Sequence, residues 1–123
     1  MLNLDTHVLL HALAGDLLAA ERRLLTGNSW SISAIVLWEI AKLGQLGRIH
    51  LDLDDAEMKQ LIARVHVWPV DTAVCRESTH LDFTSDPADE LIAATSIVHR
   101  VPLLTRDKRI RQSKLVPFAR AAR

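Results

Sequence analysis

A single cysteine, Cys75, no tyrosine, four glycines and four prolines in 123 residues exclude several kinds of protein at once. One thiol can form neither an internal disulfide nor a cysteine-rich zinc site, so the chain is no disulfide scaffold and suits a reducing cytoplasm. Glycine and proline are too sparse for a low-complexity or disordered chain. No apolar run reaches the roughly 20 residues that cross a bilayer, because charges such as Asp16, Glu39 and Lys42 interrupt each one. The opening Met1-Leu-Asn-Leu-Asp-Thr-His lacks the basic start of a secretory signal. Also missing are a Gly-x-Ser-x-Gly elbow, a Gly-rich phosphate loop and an HExxH pair, which leaves triad hydrolysis, P-loop chemistry and zinc proteolysis without support. His7 and His11 have the i, i+4 spacing of a helical metal pair, but without a third ligand they read as surface or core histidines.

What is present is a 49% hydrophobic, 24% charged composition, the profile of a compact chain large enough for its own core. One domain spanning residues 1–123 is expected. The formal net charge is +0, so bulk charge gives no case for a nucleic-acid partner. Its distribution is uneven, since Arg100, Arg106, Lys108, Arg109, Arg111, Lys114, Arg120 and Arg123 face Asp107 alone in the C-terminal segment. Arg106, Lys108, Arg109 and Arg111 are candidate phosphate contacts, and the same residues also describe a solvated helix face.

The order of elements is alternating. Leu2–Leu4 reads as a buried strand closed by Asp5, which also suits the cap of a helix over Thr6–Leu13. Asp16 reads as the N-cap of a second helix through Leu25, Ser29–Ile32 as a strand, and Ser33 as the cap of a helix from Ala34 towards Leu46. Asp54 and Glu57 have capping-box spacing before a helix ending near Arg64. Val65–Val70 is β-branched and apolar apart from His66, a strand pattern. Thr72–Leu81 is expected to be helical. Asp86 caps a helix that Pro87 starts and that runs to His99. Pro102–Thr105 is the last clear strand, Asp107 opens a short helix, and Leu115–Val116 is a candidate edge strand. Such alternation predicts an α/β fold, a three-layer α/β/α sandwich with a mostly parallel sheet of four or five strands. Ligands of these folds sit outside the carboxyl ends of the strands, and Asp5 and Asp107 both follow strand ends.

Glu39 is the most informative residue, because Ile35, Val36, Leu43 and Leu46 place it on an apolar stripe where a lone carboxylate is costly. A surface pair with Lys42 at i, i+3, or a hydrogen-bonded acid within the core, is the competing reading. Asp5, Asp89 and Asp107 can each be explained as helix caps or first-turn acids, as can Asp86. Caps do not explain why these helix starts gather at the crevice end of a parallel sheet. Converging carboxylates repel unless cations occupy the site, and all-oxygen ligation favours Mg2+ or Mn2+. Asp5, Glu39, Asp86, Asp89 and Asp107 are therefore the acids from which a metal site for phosphodiester hydrolysis could be drawn, Asp86 having the strongest explanation as a cap. Thr6, Thr105 and Asp86 stand behind the others as candidates for orienting a ligand or a water.

Four segments, Leu4-Asp5-Thr6-His7-Val8-Leu9-Leu10, Leu37-Trp38-Glu39-Ile40-Ala41, Asp86-Pro87-Ala88-Asp89-Glu90-Leu91-Ile92-Ala93-Ala94 and Leu103-Leu104-Thr105-Arg106-Asp107, together resemble the PIN-domain family, especially its VapC-type toxins, in order and in spacing. The resemblance implies a three-layer α/β/α fold and a Mg2+- or Mn2+-dependent endoribonuclease, with the metal acids on Asp5, Glu39, Asp89 and Asp107. It also implies a homodimer and a VapB-type antitoxin partner. The chain departs from many relatives at Glu90, where they carry Arg, and at Thr84-Ser85, where His-Arg is common. Glu90 is expected to face solvent. A PIN-like RNA-binding or interaction module without cleavage activity is the alternative that this departure leaves open.

Overall fold

A computed structural model describes residues 1–120; Arg123 of the basic segment lies outside the described residues. Four strands, β1 (Leu2–Leu4), β2 (Trp30–Ser33), β3 (His66–Trp68) and β4 (Leu103–Leu104), form one sheet in the order β3-β2-β1-β4. Every pairing is parallel, with Leu2 opposite Trp30, Leu4 opposite Leu104 and Ile32 opposite Val67. Seven helices accompany them among the described residues: α1 (Thr6–Ala14), α2 (Ala19–Thr26), α3 (Ala34–Gln45), α4 (Ala56–Arg64), α5 (Thr72–Glu77), α6 (Pro87–His99) and α7 (Lys108–Arg111). This is the three-layer α/β/α class that the alternation predicts, with four strands and a wholly parallel sheet.

The core is built where the apolar positions of strand and helix meet. Leu4, Ile32 and Leu103 from the sheet are buried with Val8 and Leu9 of α1, Val36 and Ile40 of α3, Met58 of α4 and Ile92 of α6. Helix α6 also buries Ala88, Ala93, Ala94, Thr95 and Ser96, small side chains that let it pack closely against α3 and α5. Asn3 in β1 is the largest of the completely enclosed polar side chains among the described residues, with Ser31, Ser33, Thr95 and Ser96; its amide donates to Ser96 Oγ at 2.9 Å and to the Ile92 carbonyl at 3.3 Å. Buried polar groups must be paired, and this pairing ties β1 to α6, the elements carrying Asp5 and Asp89.

Several boundaries differ from the sequence reading, each for a local reason. Helix α2 starts after Leu18 rather than Asp16, whose carboxylate pairs with His11 Nδ1 at 2.8 Å; Glu21 instead reaches back to accept the Leu18 N–H at 2.8 Å. Helix α4 starts after Asp55, not Asp54, and Asp55 accepts the Asp52 N–H at 3.0 Å rather than capping the helix. The expected strand Val65–Val70 shrinks to β3, bounded by the C-cap of α4 at Val65 and by Pro69. Helix α5 stops at Glu77, where the Ser78 and Thr79 hydroxyls donate to the Cys75 and Arg76 carbonyls. Leu115–Val116 forms no strand: Ser113 Oγ accepts both of their N–H groups, and the bridge beside β4 falls at Phe118, opposite Leu103.

Candidate active site

Asp5 immediately follows β1 and caps α1, with its Oδ1 accepting the Val8 N–H at 2.8 Å. The cap uses one oxygen only. The Thr105 hydroxyl, at the end of β4, donates to the other oxygen, and the same hydroxyl accepts the Asp107 N–H at 3.1 Å. Asp107 in turn caps α7 through the Ile110 N–H at 3.0 Å. One threonine thus links two acids that are 102 positions apart in sequence.

Glu39 projects from α3 and is half-buried, and the Thr6 hydroxyl donates to its Oε1. The competing pair with Lys42 is not formed; Lys42 binds Gln45 Oε1 at 3.0 Å and sits over the Trp38 ring. Asp89, in the first turn of α6, accepts the Ser85 hydroxyl at 2.9 Å. Asp86 occupies the N-cap position of α6 but makes no capping bond with its side chain, a correction to its reading as a cap. Glu90 is partly buried rather than solvated, and accepts the Ser85 N–H at 3.3 Å.

Asp5, Glu39, Asp86, Asp89 and Asp107 line a single cavity of about 380 Å³ together with Thr6, His7, His11 and Arg106. Burial pushes the Asp5 carboxyl above the usual range, against the opposing pull of Thr105, Val8 and His7, and the charge of Asp107 adds to the rise. Glu39 is raised first by burial and then by Asp89 and Asp5, with Thr6 and His7 opposing. Asp89 is raised by burial and by Asp107, Asp86 and Asp5, against Ser85. These are the signatures of carboxylates that disfavour their own charged forms and would be relieved by a cation. Among the described residues, no three His, Cys, Asp or Glu side chains stand close enough to enclose a metal ion. The donors fit a hard ion such as Mg2+, which keeps several waters and takes one or two carboxylates directly instead of a protein cage.

The basic candidates separate. Arg106 lines the cavity, but its guanidinium is held by Glu21, with Nε and Nη2 each 2.7 Å from a carboxylate oxygen. Arg109 donates to the Thr84 carbonyl at 3.2 Å, while Lys108 and Arg111 are exposed on α7. Four residues escaped the sequence reading of the site: His7 and His11, which line the cavity, and Ser85 and Glu21, which stand behind it through Asp89 and Arg106. The histidine spacing was a visible signal, since His7 and His11 face one cavity from successive turns of α1. Ser85 and Glu21 carried none, because their partners are set by the tertiary fold.

Residues 3–114 match the family described as PIN domain. Ribonuclease VapC22 of Mycobacterium tuberculosis is 31% identical over 100 residues, covering 79% of this chain and 77% of that protein. In fold, the chain is similar to one from the VapBC2 complex of Rickettsia felis bound to promoter DNA, with a TM-score of 0.71 at 16% identity over 97% of this chain and 98% of the other. It is also similar to a chain of a toxin–antitoxin complex from Klebsiella pneumoniae, with a TM-score of 0.69 at 18% identity over 89% of each.

Proposed function

Because the chain belongs to the PIN-domain family, we propose that it is a metal-dependent endoribonuclease and the toxin of a VapBC-type toxin–antitoxin pair. The observation that carries this reading is the convergence of five carboxylates, from β1, α3, the start of α6 and the end of β4, on one cavity. Asp5, Glu39, Asp89 and Asp107 would hold Mg2+ or Mn2+. When bound, the ion supplies Lewis acidity and neutralises charge at a phosphodiester.

The chain's own residues orient the site. Thr105 fixes Asp5 and the backbone of Asp107, Thr6 fixes Glu39, and Ser85 fixes Asp89. On Glu39 and Asp89 the hydroxyl takes one carboxylate oxygen and leaves the other for a ligand, whereas on Asp5 Thr105 and the Val8 N–H engage one oxygen each; partners behind a metal ligand set its direction in this way. His7 adds a nearby group whose positive form would favour the charged acids.

RNA is the substrate class that the relatedness to a ribonuclease supports. A homodimer and a VapB-type antitoxin belong to the same proposal, supported by the fold's likeness to chains from toxin–antitoxin complexes. The test is cleavage of a mixed RNA pool with Mg2+ or Mn2+, repeated in EDTA and with the Asp5→Asn and Asp89→Asn proteins. Internal cleavage that needs metal and is lost in both variants supports the reading. Cleavage indifferent to metal or to both substitutions overturns the site, and RNA binding without cleavage under every metal overturns the enzyme. Purification from the native host and identification of what co-elutes tests the antitoxin.

A further inference from the structure

Arg106 is a wall shared by two cavities. The second cavity, of about 500 Å³, is also lined by Thr105 and includes none of the carboxylates of the first. Its apolar surface comes from Leu18, Leu24 and Leu104, and its cations are Arg106, Arg111 and Arg120. Glu21 is the acid on it, and the Arg106 guanidinium and the Leu18 N–H already occupy the Glu21 oxygens. Arg111 and Arg120 are exposed and make no ion pair among the described residues. Leu18 is 59% exposed, although it sits at the start of a helix whose Leu25 is buried.

We propose that this second cavity is a subsite for a nucleotide flanking the scissile phosphate, with the base against Leu18 and Leu24 and its phosphate between Arg111 and Arg120. The assignment of what lies next door rests on the endoribonuclease reading. Single-stranded nucleic acid is held with its phosphates along a positive edge and its bases on side-chain platforms, most often aromatic; here the platform is aliphatic, so the base contact is hydrophobic burial on leucine rather than ring stacking. The acidic cavity by itself repels a polyanion, so an RNA strand entering it needs attraction from outside, and the adjoining cavity supplies it one side chain away. The Glu21 pair keeps Arg106 between the two, so that the negative and positive compartments stay distinct.

The test is oligoribonucleotide binding in EDTA across a salt series, followed by anisotropy, for the wild-type chain, the Arg111→Ala/Arg120→Ala double variant, Leu18→Ser and Lys114→Ala. All the altered side chains are exposed. The double variant is expected to flatten the slope of log K against log salt by about 0.7 for each phosphate contact removed. Leu18→Ser is expected to weaken binding about two- to fivefold, from the apolar area it no longer buries, with the slope unchanged, because a base contact releases no counterion. Lys114, outside the cavity, is expected to have little effect. An unchanged slope in the double variant, or an equal change in Lys114→Ala, overturns the subsite. So does intact RNA binding with a weakened antitoxin complex, which would make the cavity a protein contact. Cleavage is scored separately: if no metal supports it while the slope change stands, the endoribonuclease reading falls and the nucleotide site remains.

Discussion

Asp5, Glu39 and Asp89 each hold a proton to higher pH in the folded chain than in the unfolded one, chiefly because burial disfavours their charge. The folded state therefore binds more protons than the unfolded state once pH passes the ordinary carboxylate range near about 4, and stability falls as pH rises through the raised values. Glu21 acts in the opposite sense, since its hydrogen bond to Arg106 lowers its pKa; its contribution is present above the ordinary glutamate value and is lost as pH falls through the folded one. Urea denaturation in EDTA should thus show a stability maximum on the acid side of neutrality. Adding Mg2+ should raise stability at neutral pH and flatten the decline, because the ion relieves the same charges and binds the folded state alone. Asp89→Asn should lower RNA cleavage by a factor of about 100 or more, while leaving the metal-free protein as stable as wild type or more so. Thr105→Val removes the hydroxyl from a buried carboxylate, for an expected loss of about 1–3 kcal/mol and a fall in metal affinity of about 10–100-fold, measured by denaturation and by calorimetric titration.

At the scale of elements, the caps show how far local chemistry reaches. Asp5, Ser33, Asp71 and Asp107 each cap a helix through the side chain, and three of these, Asp5, Ser33 and Asp107, were legible because an Asp or Ser directly preceded an apolar helical pattern. Asp16 and Asp54 offered the same local signal and do not cap. The start of α2 is instead set by Glu21, which is chosen by its bond to Arg106, 85 residues away; no local pattern encodes that choice. Glu39 was legible because an apolar stripe is an unusual place for a carboxylate, whereas Ser85 was not, since a serine in a loop has many partners to choose from. Glu21→Ala should cost between the roughly 1 kcal/mol typical of exposed pairs and the roughly 3 kcal/mol of buried ones, because the Arg106 side chain keeps 34% exposure. Arg100 ends α6 with φ of 55°, a left-handed conformation that glycine adopts without strain. Arg100→Gly should therefore raise the denaturation midpoint, with a gain of up to about 1 kcal/mol.

Across the whole molecule, the fold class was readable from the alternation of strands and helices, but the order of the strands was not, because pairing is decided by the packed sheet. That order brings β4 alongside β1, and with it Thr105 and Asp107 beside Asp5. Asn3 then couples the same strand to α6 from within the core. Asn3→Ala should lower stability by about 1–3 kcal/mol through the buried groups it leaves unpaired, and should reduce cleavage by displacing Asp89 relative to Asp5. Circular dichroism alongside the cleavage assay separates the two effects.

The placement of β4 also has a consequence in time. The first carboxylate of the cavity is made at residue 5 and the last at residue 107, and the strand that joins them is the last synthesised among the described residues. A chain still emerging from a ribosome has no complete cavity until β4 has left the exit tunnel and docked. If the cavity is where RNA is cut, a nascent chain that has not yet exposed β4 cannot cut it.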